Sequence, residues 1–276
     1  MKSRIITGVV GGGLLLAILL LCPDICLNIA FVLVCALAMY EVLIVTRFVE
    51  HKGLMAAAVA FSMLPPFFLE TTSRYPAFIV ILLFVLGLAF VQVLYHETLR
   101  VERTGFVFFV SIIVPIALSC TPYLQTLSRV HGRFYVFLAF IIPWMCDIGA
   151  YFVGTFLGKH KMCPKISPKK TVEGLVGGIV ISVAASVLAA WLYQVLHLTP
   201  NQLGTVSLWQ VGLLALVLSP LSVMGDLFAS IIKRQSQVKD FGHIMPGHGG
   251  IMDRFDSMIF VSPVLFVVLR FLPLIY

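Results

Sequence analysis

Four aspartates stand where an apolar chain tolerates charge badly. Asp147 lies midway along one apolar run, and Asp226 lies about six residues, roughly 9 Å of helix rise, from the basic end of another. Asp253 and Asp256 open a third run at spacing i, i+3, which predicts that both carboxylates share one helical face. Ionisable groups within lipid-spanning segments are costly and mark function by default. Four like charges gathered near one membrane face repel one another unless a cation stands between them. Mg²⁺ typically binds one or two carboxylates while bridging substrate phosphates, so one or two Mg²⁺ ions are the simplest resolution. Glu41, six residues before Arg47, is a fifth intramembrane acid, either functional or held in an ion pair or a wet vestibule.

Two polar segments supply the matching cations. Residues 230–256 carry Ser230, Lys233, Arg234, Lys239, Asp240, His243, His248 and Arg254, with turns at Pro246-Gly247 and Gly249-Gly250 that allow close backbone approach to a ligand. Residues 158–174 carry five lysines within twelve positions, followed by Ser167, Thr171 and the start of a new apolar run. An ordinary positively charged loop has a similar composition. The density of lysine, together with a helix N-terminus whose amides attract anions, favours phosphate binding.

Other chemistries fail on spacing. Gly154-x-x-x-Gly158-Lys159-His160 is one residue short of a P-loop, ends in His and closes an apolar run, so it reads as a small-residue packing face. His243 and His248 lack the Cys or third His that zinc requires. The six cysteines form no CxxC pair and sit in apolar runs, as small apolar residues do. No basic helix interleaved with aromatics is present, which argues against nucleic acid as a partner despite the net charge of +7.

The elements that position these groups follow from hydropathy. The 276-residue chain is 60% hydrophobic and 11% charged, against about 25% charged in soluble domains, and its mean hydropathy is +1.05. Such a chain cannot coat itself with water-facing side chains. The expected fold is all-α and polytopic, with about nine transmembrane helices near 5–22, 26–46, 53–70, 76–95, 105–123, 134–157, 174–196, 209–232 and 256–275. The third is the weakest, being interrupted by Pro65-Pro66. The first imitates a signal peptide, yet Pro23 follows Cys22 and small residues are missing before it, so it is expected to be retained. With the N-terminus cytoplasmic, fifteen of the nineteen Lys and Arg residues fall inside and only Arg74, Arg129, Arg133 and Arg270 outside. Residues 1–132 are expected to form an N-terminal scaffold of spans one to five. Residues 133–276 are expected to form the C-terminal catalytic region of spans six to nine.

Residues 230–256 also resemble the signature of the phosphatidate cytidylyltransferase (CDP-diacylglycerol synthase) family. Ser230, Lys233, Arg234, Lys239, Asp240, Gly242, Pro246, His248, Gly249, Gly250, Asp253, Arg254 and Asp256 match it in order, and Met245 stands where Leu, Ile or Phe is usual. Upstream, Asp147, Ala150, Tyr151, Gly154, Gly158 and Lys159, then Ser167, Pro168, Lys170, Thr171, Glu173 and Gly174, are similar to the same family. The resemblance implies a homodimeric enzyme of the cell membrane, open to the cytoplasm, that uses CTP and phosphatidate. It implies Asp226 and Asp253 as metal ligands, with Asp256 and Asp147 beside them. Asp226, Asp253, Lys233, Lys239 and Asp240 are the expected catalytic set. Lys165, Ser167, Lys169, Lys170, Thr171, Ser230, Arg234, His248, Gly249, Gly250 and Arg254 are the expected substrate-binding set. A cytidylyltransferase acting on another lipid phosphate, or an ion-coupled transporter, are the competing expectations.

Overall fold

The computed structural model describes residues 2–46, 51–68, 75–201, 203–242, 244 and 249–276. These residues form an almost entirely helical, polytopic protein. Its helices are α1 (Lys2–Leu21), α2 (Asp24–Thr46), α3 (Lys52–Ser62), α4 (Pro65–Phe68), α5 (Tyr75–Leu94), α6 (Val101–Tyr123), α7 (Gly132–Phe156), α8 (Val172–Tyr193), α9 (Thr199–Asn201), α10 (Leu208–Gln235), α11 (Met252–Phe255) and α12 (Met258–Phe271). Among the described residues, six helical stretches are long and apolar enough to cross a bilayer: Asp24–Thr46, Ala77–Leu94, Val101–Leu127, Gly132–Phe156, Val172–Leu198 and Leu208–Gln235. Shorter apolar stretches cover Gly11–Leu21, Lys52–Phe67 and Met258–Phe271. Each of the nine expected spans thus coincides with an apolar helical stretch. The interruption at Pro65-Pro66 is real, because α3 stops at Ser62 and α4 restarts at Pro65.

The chain divides into two compact units. One comprises Met1–Tyr123 with Ile232–Phe255, and the other comprises Leu124–Ile231 with Asp256–Tyr276. In the first, α2 packs on α3 and α6 around the fully buried Phe31, Met39, Leu43 and Leu118. The Tyr123 hydroxyl donates to the Pro65 carbonyl, and Ser119 Oγ donates to the Pro115 carbonyl at 2.6 Å, satisfying acceptors around these prolines. Among the described side chains of α5 only Leu88 is buried, and Phe78, Leu83, Leu86 and Phe90 are exposed, an arrangement suited to lipid rather than water.

In the second unit, α7 and α8 run against each other along small residues. A Cβ placed at Gly178 would lie 2.6 Å from the Cys146 carbonyl, and one at Gly174 would lie 2.8 Å from the Ala150 carbonyl. Glycine is what lets these backbones approach so closely. Ser182 Oγ donates to the Ile142 carbonyl across the same seam at 2.8 Å. Gly154 and Gly158 face Thr171 at contact distance, in keeping with a packing face rather than a phosphate loop.

Two features depart from expectation. The lysine-rich segment is no open loop: β1 (Lys161–Cys163) pairs antiparallel with β2 (Ser167–Thr171), Lys161 opposite Thr171 and Cys163 opposite Ser167. Asp253 and Asp256 do not share one helical face. Asp253 lies in α11, which ends at Phe255, and α12 begins only at Met258. The Asp256 carboxylate takes the Ser257 amide at 2.7 Å, a side-chain-to-backbone bond of the kind that competes with helix continuation.

Candidate active site

In the second unit the β1–β2 hairpin, α7 and α10 surround a cavity of about 710 Å³. Asp147 and Tyr151 come from α7, Lys161, Ser167, Lys169, Lys170 and Thr171 from the hairpin, and Val223 and Asp226 from α10. Lys170 Nζ lies 2.5 Å from Asp226 Oδ2, with both side chains about three-quarters buried. Ser230, one turn further along α10, donates to Asp226 Oδ1 at 3.3 Å. Ser257 Oγ lies 3.5 Å from Asp147 Oδ2. Three lysines against two aspartates give the cavity a net positive wall, with a polar hydroxyl rim from Ser167 and Thr171. Such a wall suits a polyanionic ligand.

Local chemistry explains why the hairpin stands where it does. Thr171 is extended and caps α8, accepting the Gly174 amide at 3.1 Å. Glu173, in the first turn of α8, accepts the amides of Lys159 and His160 at 3.1–3.3 Å and the His160 ring at 2.5 Å, closing the base of the hairpin. The Val172 amide donates to the His160 carbonyl at 2.9 Å. Of the amides at the α8 N-terminus, those of Val172 and Gly174 already donate within the protein. Lys165 stands exposed at the hairpin turn, apart from the residues that line the cavity, whereas Lys161, absent from the expected set, is among them.

The first unit holds Lys233, Arg234, Lys239, Asp240, Gly249, Gly250, Asp253 and Arg254, whereas Asp256 falls in the second. Helix α10 ends with Gln237 in the left-handed region (φ 58°), with the Val238 amide returning to the Lys233 carbonyl at 2.9 Å and the Gln237 amide to Arg234 at 3.1 Å. This reversal starts the segment that returns to α11. Lys233 Nζ meets Asp253 Oδ1 at 2.7 Å, both side chains more than nine-tenths buried. The same ammonium lies 5.3 Å from the centre of the Phe241 ring. Asp253 Oδ2 accepts the Phe241 amide at 2.8 Å and the Gly250 amide at 3.0 Å. Gly249 takes a positive φ of 85°, and a Cβ there would approach Asp253 Oδ2 at 3.0 Å and the Asp240 Cβ at 3.7 Å. Arg234 donates to the Val238 carbonyl at 3.3 Å. Arg234, Lys239, Asp240 and Arg254 are exposed. His248 lies outside the described residues.

For a metal, the donor chemistry divides unevenly. Among the described residues no three His, Cys, Asp or Glu side chains gather closely enough to form a protein-only metal cage. Asp147 and Asp226 line one cavity, and two carboxylates completed by phosphate and water are what Mg²⁺ asks for. Each Asp253 oxygen already accepts from a protein donor.

A polytopic helical fold carrying a lysine- and aspartate-lined cavity at a helix end defines a membrane protein whose chemistry suits phosphate-bearing groups. The profile of the cytidylyltransferase family matches residues 2–272. A Bacillus subtilis (strain 168) protein named phosphatidate cytidylyltransferase is 34% identical over 279 residues, covering 98% of this chain and 97% of its own. Proteins of the same name from Staphylococcus epidermidis (strain ATCC 12228 / FDA PCI 1200) and Staphylococcus aureus (strain COL) are 38% identical over 142 residues, 51% of each chain. The chain belongs to the cytidylyltransferase family.

Proposed function

We propose that this protein transfers a cytidylyl group from CTP to phosphatidate, giving CDP-diacylglycerol and diphosphate. The observation that carries the proposal is the positively walled cavity in which Lys170 is held against Asp226, in a chain similar over nearly its whole length to a phosphatidate cytidylyltransferase. A phosphate oxygen of the lipid attacks the α-phosphorus of CTP. The new O–P bond forms as the bond to the β-phosphate oxygen breaks, and diphosphate leaves with the electron pair. Both reactants are polyanions, so the protein's work is to hold them in line and to offset charge. Lys161, Lys169 and Lys170 do this at the cavity wall, with Ser167 and Thr171 donating hydrogen bonds. Lys170 is released from Asp226 when phosphate oxygens compete for its ammonium.

The donor set of the cavity fits Mg²⁺ at Asp147 and Asp226, and a bound Mg²⁺ would supply Lewis-acid stabilisation of phosphate charge. Asp253 and Asp256 are the other acids marked by the sequence, and both Asp253 oxygens are engaged within the first unit. Lys233 and Asp253, buried together, set the shape of the segment carrying Lys239, Asp240, Gly249, Gly250 and Arg254. The charge asymmetry of the loops supports a site facing the cytoplasm, and the family resemblance implies a homodimer.

Purified protein in detergent, given phosphatidate, radiolabelled CTP and Mg²⁺, should form a labelled lipid that co-migrates with CDP-diacylglycerol, and chelator should abolish it. No labelled lipid under these conditions would overturn the proposal. Labelling of a different lipid phosphate in preference to phosphatidate would redirect it to that substrate.

A further inference from the structure

We infer that Glu41 is a positioning residue: its carboxyl group shapes the backbone at Gly242 and from Gly250 to Asp253, and Gly242 and Gly250 are glycines because that carboxyl occupies the space a side chain would need. Glu41 lies on α2, a membrane-length helix, yet only 3% of its surface is exposed. Its Oε2 accepts the amide of Met252, 211 residues away in sequence, at 2.9 Å. A Cβ built at Gly242 would fall 2.5 Å from Glu41 Oε1 and 2.8 Å from its Cδ. One built at Gly250 would fall 2.7 Å from the same Cδ, and its three nearest atoms all belong to Glu41. At Gly242 too, the three nearest atoms are those of Glu41. Two glycines therefore form a slot for one carboxyl group.

The slot explains a charge that hydropathy alone would have removed. Phe241, Gly250, Ile251 and Met252 are buried, and buried amides must find acceptors. Asp253 serves Phe241 and Gly250 from one side, and Glu41 serves Met252 from the other. Gly250 is gripped by both: its amide donates to Asp253 while its α-carbon packs on Glu41. Displacing Glu41 loosens the backbone that fixes Asp253 opposite Lys233. In the activity assay this inference rests on the cytidylyltransferase proposal, whereas backbone exchange does not.

Four variants test it: Glu41→Gln, Glu41→Ala, Gly242→Ala and the double variant Glu41→Ala with Gly242→Ala. Gln keeps the volume and one acceptor oxygen, so Glu41→Gln should retain at least about a third of the rate. Glu41→Ala should lower kcat about ten-fold or more, and hydrogen exchange at Met252 should accelerate roughly 5- to 100-fold, as expected for a buried amide that loses its acceptor, with a smaller acceleration at Gly250 as its packing loosens. Gly242→Ala should speed the same exchange in the native background but add less than about two-fold when Glu41 is already Ala, because the clash has gone. The inference is overturned if Glu41→Gln is as damaging as Glu41→Ala, if Met252 exchange is unchanged in Glu41→Ala, or if Gly242→Ala has the same effect in both backgrounds. Should the protein prove inactive as a cytidylyltransferase, the exchange rates still decide the matter. Should Glu41→Ala fail to insert, Glu41→Gln and Gly242→Ala are compared by exchange, and only the second should loosen the segment.

Discussion

Lys170 on the hairpin and Asp226 on α10 meet at 2.5 Å in the cavity that Lys161 and Lys169 also line. The pair joins two segments separated in sequence by the whole of α8. It makes Asp226 the anchor of the positively charged wall as well as a candidate metal donor.

Asp226→Asn removes the charge and keeps the size. Turnover should fall about 100- to 1,000-fold, the usual cost of losing one electrostatic contact to the transition state. Thermal stability in detergent should fall less than on loss of Asp253, because this pair is less deeply buried than Lys233–Asp253. Near-normal turnover across a Mg²⁺ titration would remove Asp226 from the mechanism.

Asp253 should behave in the opposite way. Its carboxylate is buried against Lys233 and holds two amides, and breaking a buried pair by deleting one partner costs about 3–5 kcal/mol. Asp253→Ala should therefore lower the unfolding midpoint clearly, and by more than Asp226→Asn does. Equal midpoints for the two variants would show that the Lys233 pair does not hold the fold.

The lysines should separate by position. Neutralising Lys169 or Lys170, which line the cavity, should raise the KM for CTP or phosphatidate about ten-fold, the typical loss of one charge-assisted hydrogen bond. Neutralising Lys165, at the hairpin turn, should have a smaller effect. The reverse ranking would place the substrate at the turn instead of in the cavity.

Orientation is open to a direct check. A tag inserted at the turn near Lys165 and another after Tyr276 should report opposite sides of the membrane, as the loop charges require. Finding both on one side would rule out nine crossings.

The long spans were legible because stretches of about eighteen or more predominantly apolar residues admit few alternatives, and the break at Pro65-Pro66 was legible because proline lacks an amide donor. The hairpin was not: three- and five-residue strands rich in lysine carry no alternation that separates them from a loop. The break after α11 was hidden because Asp256 and Ser257 look like ordinary first-turn residues until the carboxylate is seen to take the next amide. Lys161 was overlooked because spacing alone did not distinguish it from its neighbours. Glu41 was marked as unusual by its type and place, but its partner, 211 residues distant, lies beyond any local pattern.

Thr171 ends β2 and caps α8 in the same stroke, so Lys170 stands one residue from a helix start whose register the glycine seam also holds. The backbone carrying that ammonium cannot recoil as negative charge builds on a neighbouring phosphate. Only the four side-chain torsions of the lysine are left to respond. The reorganisation that water would have to undergo around the same charge is thereby confined to a single flexible arm, and most of the dipolar work is done before the substrate arrives.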